Sequence, residues 1–216
     1  MTPRERWLAL LAGERPDRVV TDYWATPEVT ERLCRELNCP DREALYTRLS
    51  IDGVVHVDPP RTVRAFPGDA RADIWGLLRR RVDYGTGAYD EFDNHPLAAA
   101  TTVREIEEYP WPRAEHHDFD AFRAALAAAP AHRAVCSGEC EPFLLYCALR
   151  GMEQAMMDLL TEPDIVRAAL ARIFRYHYAT NARIFEIGRG RIDLFYLAED
   201  LGGQTNLLIG LPQIRE

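Results

Sequence analysis

Apolar residues recur at helical spacing along several segments of the chain, and short apolar runs bounded by turn residues separate those segments. The clearest helical pattern extends from 163 to 187, where apolar side chains recur every three or four residues until Gly188. The predicted helices are 3–12, a helix that opens at Thr26 and Pro27, 42–49, a helix that opens at Thr102, 118–129, 141–160 and 163–187. The predicted strands are 18–24, 51–57, 133–137 and 191–197.

The order of these elements predicts a parallel sheet, because strands and helices alternate along most of the chain. Residues 59–95 interrupt that alternation with proline and glycine turns and two short extended pieces, 73–78 and 80–84. We therefore expect an antiparallel rim insertion over 58–95, after the second strand. The 216 residues fall short of the roughly 250 that a closed eight-unit barrel takes. The sequence thus predicts an α/β fold, an incomplete (β/α)8 TIM barrel of about four βα units, in a single domain over 1–216.

The composition is typical of a globular domain, with 47% hydrophobic and 28% charged residues. The formal net charge is −8 and the 26 basic residues are scattered along the chain, so we expect no nucleic-acid partner. The apolar stretch Trp7–Ala12 is too short for a signal peptide, and no run approaches the length of a membrane span. Five cysteines at irregular spacing are typical of reduced thiols, so we expect a cytoplasmic protein without a membrane partner.

Candidate functional residues follow from one rule of parallel α/β folds, in which chemistry gathers at the carboxyl ends of the strands. The strongest local signal is the pair Glu199 and Asp200, which follows an apolar strand and precedes two glycines that let the backbone approach a ligand. The rule selects Asp52, Glu199 and Asp200 as candidate catalytic carboxylates, and Trp24, His56, Glu141 and Gln204 as candidate contacts of a small-molecule substrate.

Each of these candidates also has a structural explanation. Asp52 lies in an apolar strand, where a carboxylate needs either structural partners or a polar ligand. His56 fits a hydrogen-bonded core histidine, and Glu141 stands where it can cap a helix. The three cysteines between 136 and 147 do not have the spacing of a zinc site, so no metal is expected within the chain. The sequence contains no Ser-His-Asp order, phosphate-binding glycine loop or HExxH motif, which excludes the corresponding hydrolases, nucleotide-binding proteins and zincins.

Seven segments, in order along nearly the whole chain, resemble the uroporphyrinogen decarboxylase superfamily, which also contains corrinoid-dependent methyltransferases. They are Pro3-Arg4-Glu5-Arg6, Gly13–Arg18, Asp22-Tyr23-Trp24, Asp73-Ile74-Trp75-Gly76, Val82-Asp83-Tyr84-Gly85, Tyr109-Pro110-Trp111-Pro112 and Glu199-Asp200-Leu201-Gly202. Each motif is weak alone, and their combination is specific. The resemblance implies a (β/α)8 barrel whose active site lies at the carboxyl ends of the strands.

Within that superfamily, the resemblance favours the methyl-transfer branch. The decarboxylases of porphyrin (haem) biosynthesis carry Arg-Gln-Ala-Gly-Arg after the first strand, where this chain reads Trp24–Pro27. The family's strand-two aspartate, which faces the pyrrole nitrogens in the decarboxylases, is matched by Asp52, and a substrate-contacting tyrosine lies near Tyr146. Asp200 stands where the decarboxylases usually have serine and the corrinoid-linked relatives commonly have an acidic residue. Carboxy-lyase activity on uroporphyrinogen is the alternative.

The resemblance also implies partners outside this chain. Relatives that methylate a thiol bind zinc late in the barrel, at positions beyond Glu216, and a corrinoid protein is the expected methyl-carrying partner. A barrel with about half its strands leaves an edge and a core face uncovered, which favours self-association or pairing with a C-terminal half. A non-catalytic or split half-barrel is therefore a further alternative.

Overall fold

The computed structural model describes residues 1–62, 66–69 and 71–215 of an α/β protein. Its helices are Pro3–Leu11 (α1), Pro27–Glu36 (α2), Arg42–Leu49 (α3), Val103–Glu108 (α4), Phe119–Ala128 (α5), Pro142–Arg150 (α6), Met152–Thr161 (α7), Pro163–Ile187 (α8) and Leu211–Arg215 (α9), with a 3-10 turn at Ala114–His116. The strands are Val55–His56 (β1), Arg79–Asp83 (β2), Ala88–Phe92 (β3), Val135–Cys140 (β4) and Leu194–Leu197 (β5). In the described part of the chain, no helix has the length and apolar character needed to cross a membrane.

The helices begin where local capping chemistry places them. Thr2 and Glu5 form a capping box at the start of α1, and Thr102 and Glu105 form another at α4. Thr26 accepts a hydrogen bond from a first-turn amide of α2, as its side chain predicts. The helical stretch 141–160, for which the sequence predicts an interruption at Gly151, consists of two helices, α6 and α7, and Gly151 adopts φ +87° between them.

A small parallel sheet has the strand order β1-β4-β5. Val55 pairs with Val135 and His56 with Cys136, in parallel register. The sheet and its helices confirm the α/β class. The predicted strand 18–24 is wrong, because the backbone there forms no ladder and Thr21 instead bonds the backbone and side chain of Asp52.

The predicted antiparallel insertion contains a real hairpin. β2 and β3 pair antiparallel from Arg79 opposite Phe92 to Asp83 opposite Ala88. The extended piece predicted at 73–78 is wrong, because a carboxylate oxygen of Asp73 accepts bonds from the amides of Trp75 and Leu77 and folds that segment into turns. Residues 63–65 and 70 of the predicted insertion lie outside the described residues.

The chain divides into two compact units, each made of three separate segments. The first unit is Met1–Pro59, Phe119–Ser137 and Ile184–Phe195; the second is Pro60–Asp118, Gly138–Arg183 and Tyr196–Glu216. The core of the first unit consists of Val57, Phe119, Phe122, Leu126, Val135 and Ile184. The larger core of the second unit includes Trp75, Leu97, Ile106, Tyr146, Leu149, Ile165 and Ile173. The single domain over 1–216 stays a prediction.

Candidate active site at the end of β5

Glu199 follows β5 and caps the N-terminus of α6. One carboxylate oxygen accepts a hydrogen bond from the amide of Phe143 at 2.7 Å, and the other accepts one from the amide of Leu144 at 3.0 Å. The first turn of a helix leaves its amides without intrahelical partners, and Pro142 at the first position has no amide to satisfy. The helix has no side-chain cap from its own N-cap residue, Glu141. Glu199 therefore supplies the missing cap from 56 residues further along the chain.

The proton affinity of Glu199 is higher than that of an ordinary glutamate. Burial raises its pKa, the two amide bonds oppose that rise, and repulsion from Glu141 and Asp200 adds to it. The net shift is upward, although an anion at a helix N-terminus is normally favoured. This combination of burial and neighbouring negative charge makes Glu199 a candidate functional residue.

Tyr196 and the neighbouring carboxylates complete the immediate surroundings. The phenol of Tyr196 interacts with the carboxylate of Glu141. Burial raises the pKa of this phenol, and the charge of Glu141 raises it further. Burial and the charge of Glu199 also raise the pKa of the Cys140 thiol, and they raise that of Cys147 to about 11. Both thiols are therefore protonated near neutral pH and are poor nucleophiles.

A cavity of about 460 Å³ opens beside Glu199 within the second unit. Its lining is mostly apolar and comes from α6, α7, α8, α9 and the segment after β5. The lining residues are Pro142, Phe143, Leu159, Pro163, Val166, Arg167, Leu170, Ala171, Phe174, Glu199, Leu201, Ile209, Gln213 and Ile214. An apolar cavity with a single half-buried carboxyl on its wall is typical of a small-molecule site.

Asp52, the predicted catalytic carboxylate of the second strand, is a buried residue of the first unit. Its oxygens accept bonds from Arg18 at 2.6 and 2.7 Å and from Arg6 at 3.0 Å. The amide of Thr21 donates a further bond at 3.1 Å. Its carboxylate therefore already has structural partners, which is one of the two explanations that the sequence left open.

The remaining predicted residues of the first unit lie on its surface. Trp24 is 72% exposed, and its indole nitrogen donates to Asp22 at 2.9 Å. His56 is exposed on β1, whose backbone pairs with that of Cys136 on β4. Neither side chain belongs to the second unit, where Glu199 lies.

Tyr146 is fully buried in the second unit, in a polar network that the sequence did not predict. Its hydroxyl donates to Asp158 at 2.8 Å, and Asp158 also accepts bonds from Arg150 at 2.6 Å and Gln154 at 2.7 Å. Burial alone raises the pKa of Asp158, but these three donors outweigh it and hold the pKa below its ordinary value. Arg150 further donates to backbone carbonyls at 97, 98 and 100. The spacing of these residues along α6 and α7 is the only sequence signal for the network.

The structure thus brings Glu199, Glu141 and Tyr196 together. Asp200 is exposed and near enough to affect the pKa of Glu199. Gln204 is exposed in the turn-rich segment after β5. No group of three or more histidine, cysteine or acidic side chains among the described residues is arranged to hold a metal ion.

No protein-family model, curated protein or solved structure matches the chain.

Proposed function

We propose that the protein is a small-molecule enzyme of the uroporphyrinogen decarboxylase superfamily, in its corrinoid-linked methyl-transfer branch, with Glu199 as the catalytic acid. The observation that carries the proposal is the half-buried carboxyl group of Glu199, with its raised pKa, at the end of β5 and on the wall of an apolar cavity. The segment that provides this carboxyl, Glu199-Asp200-Leu201-Gly202, is also part of the resemblance. The β1-β4-β5 sheet and the β2–β3 hairpin are compatible with part of a barrel of this kind.

The proposed chemistry is the transfer of a methyl group from oxygen or nitrogen. The bond between the methyl carbon and the heteroatom breaks, and its electron pair stays on the heteroatom, which takes a proton from Glu199. The methyl carbon forms its new bond with the electron pair of the acceptor, a reduced corrinoid supplied as substrate by a partner protein. Glu199 is suited to this role because burial raises its pKa above that of an ordinary glutamate, and its two amide contacts stabilise the carboxylate that remains after proton transfer.

The described residues do not fit a zinc site, so no step is assigned to zinc. Tyr196 and Glu141 do not line the cavity, and the role proposed for Glu141 is to raise the pKa of Glu199 through its negative charge. The mostly apolar walls favour an apolar substrate group beside Glu199.

The proposal is tested with the purified protein, cob(I)alamin and a panel of methyl ethers and methylamines, by following methylcob(III)alamin formation in the visible spectrum. We expect at least one donor to support transfer, and we expect Glu199→Gln to slow it by about a hundredfold. The matched control Glu186→Gln removes an exposed carboxylate of the first unit and should leave the rate unchanged. Equal transfer rates in Glu199→Gln and the native protein would refute the role proposed for Glu199. Release of CO2 from uroporphyrinogen would instead assign the protein to the decarboxylase branch.

A second proposal concerns association, and it is favoured by the edge position of β5. β5 is the last strand in the order β1-β4-β5, and Leu197 on it is 68% exposed. An exposed apolar edge strand is a pairing surface, so we propose that the chain self-associates through β5. Light scattering of the native protein should show a species larger than the 24.6 kDa monomer, and the Leu197→Lys variant should have the monomer mass. A native protein that is already monomeric would contradict self-association.

A further inference from the structure

A second cavity, of about 710 Å³, lies within the second unit and shares no lining residue with the cavity at Glu199. One side is the run 107–116, which comprises the end of α4, the 3-10 turn and the loop between them, and the other side is the face of α8. The full lining is Pro67, Ile74, the run 107–116, Arg172, Arg175, Tyr176 and Ala179. Its volume is in the range of sites that hold a small organic molecule.

The aromatic side chains on this cavity already have partners for their polar atoms. The Tyr109 hydroxyl donates to the carbonyl of Trp75, and the Trp111 indole nitrogen donates to the carbonyl of Ile106 at 2.7 Å. The hydroxyl of Tyr176 is 2.7 Å from a histidine ring nitrogen. Tyr109 and Trp111 also pack edge to face, with ring centroids 5.1 Å apart. These residues therefore offer fixed apolar ring surfaces rather than hydrogen-bonding groups.

The arginines on the cavity differ from these aromatic residues in having no ion-pair partner within the described part of the chain. Arg172 and Arg175 are one turn apart on α8, and Arg113 lies on the loop opposite; none of the three forms an ion pair with another described residue. Five residues before Arg172 on the same helix, Arg167 pairs with Asp164 at 2.8 Å. A guanidinium that faces a cavity without a protein partner is a bidentate donor for a carboxylate or phosphate.

Acidic residues on the same rim limit the charge of the ligand. Glu108 pairs with Arg104, whereas Glu107 and Glu115 have no ion-pair partner among the described residues. Counted over the described lining residues, three unpaired arginines against two unpaired carboxylates leave an excess of one positive charge. This balance favours a ligand with one anionic group over a polyanion.

We propose that this cavity binds a small molecule with a flat apolar ring and one anionic group, a carboxylate or a phosphate. The ring lies against Tyr109 and Trp111, and the anion is held by Arg172 and Arg175. The proposal does not depend on the reaction proposed for Glu199, because the two cavities have separate linings.

Calorimetric titration of the whole protein with three naphthalene probes tests the proposal. The probes are 1-naphthyl phosphate, 1-naphthoate and the neutral 1-naphthylmethanol. We expect both anions to bind at least tenfold more tightly than the alcohol, as a charge-assisted hydrogen bond predicts. The tighter of the two anions identifies the group that the arginines prefer. Equal binding of all three probes, or no binding at millimolar concentration, overturns the proposal.

Two variants locate the binding. Arg175→Gln should weaken the binding of both anionic probes about tenfold and leave binding of the alcohol unchanged. Arg175 is exposed, so we expect the variant to fold, and circular dichroism checks this directly. Arg189→Gln removes an equal charge from an exposed arginine that borders neither cavity, and should change nothing. Unchanged anion binding in Arg175→Gln overturns the assignment.

Discussion

Replacement of Asp158 by alanine should strongly destabilise the second unit. Asp158 is fully buried, and it is the anion that neutralises Arg150, which is only 3% exposed. Removing one partner of a buried ion pair costs about 3–5 kcal/mol, because the other charge remains desolvated. The lost bonds from Tyr146 and Gln154 add about 1 kcal/mol each. The carbonyl acceptors that Arg150 keeps offset part of this, so we expect a loss of about 4 kcal/mol.

Urea unfolding followed by circular dichroism measures that loss. Asp164→Ala is the matched control, because Asp164 also pairs with an arginine on a helix but its side chain is 84% exposed. An exposed pair contributes about 0–1 kcal/mol, so the control should unfold close to the native midpoint. If Asp158→Ala and Asp164→Ala unfold within about 1 kcal/mol of each other, the network does not stabilise the protein as argued.

Three further predictions concern stability. Asp52→Asn should lower the free energy of unfolding by about 3 kcal/mol, because it breaks a buried ion pair with two arginines. The control Asp17→Asn removes an exposed partner of Arg6, one of these arginines, and should lower it by about 1 kcal/mol or less. Equal losses for the two variants in urea unfolding would contradict this prediction. Burial lowers the pKa of His177 from 6.5 to about 4 in the folded protein. Between pH 6.5 and 4 the unfolded chain therefore binds a proton that the folded protein does not, and the free energy of unfolding should fall by about 3 kcal/mol as the pH drops across this range. That acid-side loss should disappear in His177→Leu, measured by urea unfolding across this pH range. Gly76→Ala should destabilise the protein by about 2 kcal/mol more than Gly13→Ala. Both glycines have positive φ, but of the two only Gly76 would place the new Cβ against a side chain, at the Tyr109 hydroxyl. Equal thermal unfolding of the two variants would refute the steric argument.

The helices could be predicted from the sequence because their start signals are local. Thr26 and Thr102 each cap the helix whose start they predict, and Pro163 and Gly188 bound the longest helix. A strand depends on a partner strand that the local sequence pattern does not contain. For this reason the sequence wrongly predicts a strand over 18–24, and it predicts a strand over 51–57 where only Val55–His56 pairs.

The candidate site could be predicted only in part. Glu199 was the strongest carboxylate signal in the sequence, but its amide partners lie more than 50 residues earlier, so its capping role had no local signature. Likewise, the arginines that hold Asp52 lie 46 and 34 residues before it. Long-range side-chain partners of this kind carry no periodic pattern, and whether Asp52, Glu199 and Asp200 act in catalysis stays a prediction.

Because Glu199 caps α6, two backbone amides of that helix can report the protonation state of its carboxyl group. The amides of Phe143 and Leu144 point at the two oxygens whose proton the proposed reaction moves. A carboxylate accepts both bonds fully, whereas a protonated carboxyl group accepts them more weakly. The nitrogen and proton resonances of these two amides should therefore shift together as Glu199 titrates. The protonation state of the site can thus be followed in the resting protein, before any substrate is known.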